Sequence, residues 1–185
     1  VLAEPLSCVL NALELGRLQT GETIGIWGAG PAGTLLARAA RAFGAWPLNI
    51  EPDRRRRELI GGRETAGETP FDLAVVAVGD CEAYRAALAH LAPRGRLVVF
   101  SGLPLADDRL PVSFNQLHYA EQTLVGAYGC SYRHGQAALK LIADGRVPVG
   151  DMISHRLPLK RLDEALRLVE ERAGMKILLD PWQED

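Results

Sequence analysis

Three glycines carry the clearest chemical signal in the chain. In "IGIWGAGPAG", residues 24–33, Gly28, Gly30 and Gly33 follow the pattern G-x-G-x-x-G directly after a β-branched run. Alone the pattern is weak, because glycine is common in turns, and its setting gives it meaning. "TIGIW" (23–27) reads as a buried strand, "TLLARAARAFG" (34–44) has apolar residues at helical spacing, and Glu51 lies 18 residues beyond Gly33 at the end of a second strand, "WPLNIE" (46–51). In that setting Gly28 permits a tight turn, Gly30 lets backbone approach a pyrophosphate, and Gly33 lets helix and strand pack closely. Pro31 and Ala32 open the helix, whose N-terminus offers amide donors and a partial positive charge to phosphates. The chemistry implied is binding of a dinucleotide, with Glu51 on its ribose.

Glu51 also bears on which dinucleotide. A carboxylate there accepts hydrogen bonds from both ribose hydroxyls and repels a 2′-phosphate, which favours NAD. The run Arg54–Arg57 just beyond it pulls the other way, because guanidinium groups suit a phosphate. We read the run as a solvated helix face with Arg55 stacked on the adenine, and keep NADP as the alternative.

These residues need a scaffold, and the rest of the sequence outlines one. The 185 residues are enough for one well-buried core, and 48% hydrophobic with 24% charged residues and a net charge of -2 places the chain in the ordinary globular class. No apolar run reaches the roughly 20 residues of a membrane span, and the N-terminus lacks the zones of a signal peptide. A cytoplasmic location is expected, with no membrane and no nucleic-acid partner. Cys8, Cys81 and Cys130 are odd in number and far apart, which suits neither a disulfide framework nor a thiolate zinc cluster, so they are read as reduced thiols. "VLAEPLSCVLNALELG" opens the chain as an amphipathic helix with Gly16 as its expected stop, and this start reads as a piece excised from a longer protein.

Further along, "DRRRRELI" (53–60) reads as a short helix and "LAVVAV" (73–78) as a strand of the kind a parallel sheet buries on both faces. "CEAYRAALAHLA" (81–92) is a helix, "PRG" a turn, "RLVVFS" (96–101) and "TLVGAY" (123–128) strands. "YRHGQAALKLIADG" (132–145) and "KRLDEALRLVEERAG" (160–174) are helices, and "KILL" (176–179) a last strand. This alternation predicts an α/β fold with a Rossmann-type, doubly wound, mostly parallel sheet. Only residues 61–72 separate Ile60 from Leu73, and a crossover with its helix takes about 10–12 residues before any strand is counted. The third strand is therefore expected to be vestigial or absent, and its helix deleted.

In order, "EPLSCVLNAL", "IGIWGAGPAG", "LAVVAVG", "RLVVFSGLP", "NQLHYAEQTLVGAYG", "HRLPLKRLDEAL" and "MKILL" resemble the cofactor half of the medium-chain, zinc-type alcohol dehydrogenases. The polyol (sorbitol-like) and threonine dehydrogenase branch is the nearest in pattern, and the resemblance covers essentially the whole chain. It implies that Gly28, Gly30 and Gly33 hold the pyrophosphate and Glu51 the adenosine ribose, and that Val78 and Gly79 line the cofactor. It also implies that Ser101, Gly102 and Leu103, with Ala127 and Tyr128, receive the nicotinamide carboxamide, and that Lys176 lies near the phosphates. Glu4 of the "EP" pair would lie beside a catalytic zinc as a direct or water-bridged ligand. On the residues alone, a glutamate at a helix start is a charge favoured by the macrodipole. The implied organisation is a hinge helix at 1–16, an NAD(P)-binding domain at 17–150, and a segment at 151–185 returning towards the catalytic domain.

In that family an N-terminal β-rich domain supplies the zinc ligands, the proton relay and much of the substrate pocket, and no such domain is present in this sequence. A catalytic zinc needs about three protein ligands, and His90, His118, His134 and His155 form no cluster with the cysteines. Zinc is thus expected in the full-length protein only, and no catalytic residue is identified. His118 and Tyr119 in "LHYAEQ" could act as base and phenol, but the resemblance puts them between two strands, which makes packing or subunit contact their role. His155 is read the same way, and Arg133 and His134 as solvated. The function implied is the NAD(P)-binding part of a zinc-dependent dehydrogenase, inactive alone, passing a hydride between a secondary alcohol, such as a polyol, and nicotinamide. A homodimer through the edge strand Thr123–Tyr128 is expected. The alternatives are a zinc-independent enoyl or quinone reductase of the same superfamily and a non-catalytic nucleotide-binding module.

Overall fold

The computed structural model describes residues 1–183. The chain forms two compact units, one spanning Ala3–Val147 and the other Val1–Leu2 with the segment from Pro148 onward. In the larger unit the elements run α1 (Ala3–Leu15), β1 (Thr23–Trp27), α2 (Pro31–Ala42), β2 (Trp46–Ile50), α3 (Arg54–Ile60) and β3 (Phe71–Val76). They continue with α4 (Cys81–Ala89), β4 (Leu91–Val99), α5 (Phe114–Tyr119), β5 (Thr123–Gly126) and α6 (Tyr132–Ala143). The strands form one parallel sheet in the order β2-β1-β3-β4-β5. The chain winds outward from β1 to β2, then crosses back to lay β3 on the other side of β1. Between β1 and β3 the winding reverses, and at such a switch point an open sheet leaves a crevice beyond its carboxyl ends.

Burial follows the pattern that a doubly covered sheet requires. Ile24, Ile26, Leu73, Val75 and Val76 are fully buried. Trp27, Ala74, Val76 and Leu97 form one cluster with Tyr84 and Ala87 of α4, and Trp27 meets Phe71 edge to face at 5.7 Å. Gly16 ends up against Leu73 and Val98, either of which a Cβ would meet at 2.9 Å. This corrects the sequence reading: Gly16 is small because α1 packs tightly on the sheet, and the left-handed residue that ends the helix is Arg17, at φ 52.

The shortened crossover is real. The expected third strand survives as a single parallel bridge between Ile50 and Arg63, with Arg63 N donating to Asn49 O and Glu51 N to Arg63 O, both at 2.9 Å. Because Asn49 and Glu51 turn their backbone groups to this outer side, so does Pro47, which has no N–H to offer. A proline facing outward on an edge strand discourages pairing with another chain.

Several boundaries move. "PRG" is no free turn but an excursion inside β4, where pairing jumps from Phe71–Leu91 to Leu73–Arg96 and Arg94 takes φ 64. α5 is an unexpected short helix capped by Ser113, whose Oγ accepts from Gln116 N. His134 is not solvated: its ring is buried, Nδ1 accepts from Ser131 N at 3.1 Å and Nε2 donates to Glu14 Oε2 at 3.0 Å. Arg133, which stays exposed, also reaches Glu14, and His134 and Arg133 together hold that carboxyl below the usual range.

The smaller unit holds β6 (Ile153–Pro158), α7 (Leu162–Glu170) and β7 (Lys176–Asp180), with β6 and β7 paired in parallel. β6 was not foreseen. Among the described residues no helix is long and apolar enough to cross a membrane.

Candidate functional site

The glycine turn lies where β1 ends and α2 begins. Gly28 sits at φ 112, donates its N–H to Ile50 O at 2.8 Å, and faces Ala77 O, which a Cβ would approach to 3.3 Å. Only glycine takes that backbone conformation without strain. Gly33 is tighter still: a Cβ there would lie 2.8 Å from the Gly28 carbonyl carbon and nearer to its oxygen. Gly30 caps α2 in an extended conformation and, having no side chain, makes no cap bond to the helix's first amides. Gly30, Pro31 and Ala32 are partly exposed, so the mouth of the turn is open to a ligand.

Two buried polar side chains hold this turn. Asn49, 3% exposed, donates through Nδ2 to Gly28 O at 3.0 Å and to Gly33 O at 3.1 Å. Sequence reasoning missed it, although a lone amide in an otherwise apolar strand beside a glycine turn is a usable signal. Glu51, 6% exposed, accepts from Ala29 N at 2.7 Å through Oε2 and from Asp53 N at 3.0 Å through Oε1. A carboxylate has about four acceptor sites, so two backbone donors leave room for ribose hydroxyls.

The arginine run divides. Arg57 is structural, donating to Glu51 O at 2.8 Å and Pro52 O at 2.9 Å. Arg55 is exposed, and it is Arg56 whose Nη1 lies 3.8 Å from where a Cβ on Gly30 would be. The guanidinium beside the turn therefore belongs to Arg56.

The other candidates of the larger unit gather on the same edge, each just past the end of a strand. Val78 and Gly79 follow β3, Ser101, Gly102 and Leu103 follow β4, and Ala127 and Tyr128 follow β5. They are held together by backbone: Ser101 N donates to Val76 O at 3.1 Å, Ala127 N to Val99 O at 3.0 Å, and a Cβ on Gly79 would meet Gly102 O at 2.8 Å. The Tyr84 hydroxyl donates to Ser101 O, and burial raises its pKa. Tyr128 is fully exposed, and its carbonyl accepts from Asn11 Nδ2.

The remaining candidates lie elsewhere. Lys176 opens β7 in the smaller unit, where its carbonyl accepts from Ser154 Oγ at 3.1 Å. His118 and Tyr119 meet edge to face at 4.9 Å on α5, and both are exposed, which leaves subunit contact rather than core packing open to them. α5 leads into β5, so they sit at the opposite end of the strands from the glycine turn. His155 is half-buried in β6 against Gly174. Glu4 is exposed in the first turn of α1 and accepts from the Cys8 thiol at 3.4 Å. Burial, with Glu4 and Cys130 nearby, pushes that thiol up to about 11. Among the described residues no group of three or more His, Cys, Asp or Glu is placed to hold a metal ion.

Known proteins share this architecture. A family model described as zinc-binding dehydrogenase matches residues 49–175. A sorbitol dehydrogenase of Bombyx mori is 29% identical over 199 residues, covering 95% of this chain and 56% of its own. One from Bacillus subtilis strain 168 is 27% identical, covering 97% and 56%. The chain spans about half the length of the curated relatives it matches. Among solved structures, an alcohol dehydrogenase of Thermus sp. ATN1 has a TM-score of 0.85 at 24% identity, covering 95% of this chain and 56% of its own. A chain of Sinorhizobium meliloti 1021 solved bound to NADP has a TM-score of 0.80 at 22% identity, with the same coverages. Such structural likeness speaks to the fold, and the family match over more than half the chain speaks to descent: this chain belongs to the zinc-binding dehydrogenase family.

Proposed function

We propose that the chain binds NAD along the carboxyl edge of its sheet, as the nucleotide-binding part of a zinc-dependent polyol or alcohol dehydrogenase. The observation that carries this is the meeting of an open glycine turn and a buried Glu51, whose Oε2 is 2.7 Å from Ala29 N, at the switch point of the sheet. The dinucleotide, when bound, supplies the hydride-accepting nicotinamide. The chain's own part is to bind and orient. The amides at the start of α2 hold phosphate, Glu51 fixes the ribose, and the strand ends at Val78–Gly79, Ser101–Leu103 and Ala127–Tyr128 position the nicotinamide end. In this reading residues 1–16 form a hinge, 17–150 the nucleotide domain, and 151–185 return towards a substrate-binding half. The substrate class, a polyol or other secondary alcohol, is inferred from the sorbitol dehydrogenase relatives.

Titrating NADH and NADPH against the fluorescence of buried Trp27 tests the reading. NADH should bind more tightly, Glu51→Ala should narrow the gap, and Arg56→Ala should widen it. NADP is the second reading, supported by Arg56 beside Gly30. Equal or tighter NADPH binding would establish it in place of the first.

The donor set fits the nucleotide but does not by itself fit zinc, so no step is assigned to the metal here. Glu4 is the donor the resemblance offers, and the described residues add no second and third beside it. Elemental analysis of the purified chain should accordingly find no stoichiometric zinc. One tightly held zinc per chain would contradict this.

Assembly is read from β5. Among the described strands it pairs with β4 alone, and its own Leu124 is 38% exposed and Val99 of β4 41%. An apolar, charge-free edge invites covering, and a twin strand across a two-fold axis covers it. Sedimentation at micromolar concentration should show a dimer that Leu124→Pro disperses: Ala127 N donates to Val99 O, so by alternation Val125 faces β4 and Leu124 turns its N–H to the open edge, where proline removes it. A monomer of the unaltered chain would contradict the proposal.

A further inference from the structure

Two thiols lie outside everything assigned so far. Cys8 is on α1 and Cys130 on the turn between β5 and α6, yet the two thiols are near enough in space to interact electrostatically. Ser7, next to Cys8, has its Oγ 3.0 Å from Cys130 Sγ. Cys130 is exposed, Cys8 is half-buried, and Cys81 is buried in α4. The turn that bears Cys130 is also the one that bears Ala127 and Tyr128. Helix α1 already grips it, because Asn11 Nδ2 donates to the carbonyls of Tyr128 and Gly129 at 3.4 and 3.0 Å. Gly129, at φ 66, gives the turn a residue free to adjust.

From this juxtaposition we propose that Cys8 and Cys130 are a redox-sensitive pair, whose disulfide fixes the 127–131 turn on α1 and weakens nucleotide binding. The binding half of this rests on the NAD reading above, and the thiol half does not. The oxidant is a peroxide. The exposed Cys130 sulfur attacks one peroxide oxygen, the O–O bond breaks, water leaves, and a sulfenic acid remains. The Cys8 sulfur then displaces the hydroxyl as a second water and the S–S bond forms. The two thiols lose two electrons and two protons, which hydrogen peroxide carries away as two waters. A small dithiol reverses the step by exchange. The physical effect is to remove the freedom the turn needs to close on the nicotinamide end.

The test treats the reduced chain with a slight excess of hydrogen peroxide and reads intact mass and unreduced peptides. The expected result is a loss of about 2 Da with a peptide joining Cys8 to Cys130, both reversed by dithiothreitol. Cys8→Ser should instead gain about 16 Da at Cys130, the mark of a sulfenic acid with no partner. NADH should bind the oxidised chain several-fold more weakly than the reduced one, and peroxide should leave affinity unchanged in the Cys8→Ser/Cys130→Ser double variant. Oxidation of Cys130 alone in the unaltered chain, or a link through Cys81, would overturn the pair. A disulfide that forms while NADH affinity stays the same would overturn its regulatory role. Failure of the reduced chain to bind NADH would instead refute the nucleotide reading, and the mass result would stand on its own.

Discussion

Gly33→Val should destabilise the chain by about 3 kcal/mol or more and abolish nucleotide binding. A Cβ at this position is 2.8 Å from the Gly28 carbonyl carbon, and the obstacle is backbone, so no side-chain rotation relieves it. Relief requires α2 to move off β1. That separation would open the contact between Leu35, Leu36 and the buried strands, all now inaccessible to water. It would also displace the first amides of α2 from the phosphate position. For a domain of this size the loss corresponds to a fall in melting temperature of roughly 6–12 °C, readable by thermal circular dichroism. Gly33→Ala carries the same Cβ and should fail in the same direction, which separates the clash from the bulk of valine. A Gly33→Val variant of ordinary stability that still binds NADH would mean that helix and strand are not packed as closely as the structure has them.

Asn49→Leu should have the second-largest effect. Leucine matches the volume, yet it removes both donors that Asn49 sends to Gly28 O and Gly33 O. The Gly28 carbonyl is then buried without that partner, at a cost of about 1–3 kcal/mol for each acceptor left unsatisfied. Because the amide stitches both ends of the glycine turn to β2, its loss should also weaken NADH binding by about tenfold or more, through a turn no longer held in its binding shape. Asn49→Asp distinguishes shape from hydrogen bonding. It keeps the shape but replaces the donor with an acceptor facing two carbonyl oxygens, and it should be the worse of the two. Wild-type affinity in both variants would show that the turn is held by backbone alone.

How much of this was readable in advance depends on the distance over which each feature is decided. The glycine turn and Glu51 were legible because strand, turn and helix are contiguous, and each glycine answers a local steric demand. The vestigial third strand was legible by counting, since residues 61–72 cannot span a crossover. Asn49 was not, because a single polar residue in a strand has no period, and its partners are known only once β2 lies beside β1. His134 reads as solvated after a turn, yet its ring is buried and bonds Glu14, 120 residues earlier in the chain. β6, "ISHRLP", has no clean alternation and becomes a strand only by pairing with β7 across an intervening helix. The position of Arg56 beside Gly30 was not legible for a smaller reason: neighbouring residues on a helix point about 100° apart, and which of the four arginines faces Gly30 is set by how α3 lies against the turn.

The central claim, that the nucleotide lies across the carboxyl edge of the sheet, is tested most directly by mapping amide chemical shifts of the isotopically labelled chain as NADH is added. The predicted result is a saturable set of shifts at Ala29, Gly30, Ala32, Gly79, Gly102 and Ala127, with residues of α5 unmoved. Shifts confined to another surface, such as the cavity of about 330 Å³ lined by Leu10, Phe43 and Ala137, or no shifts at all, would contradict it.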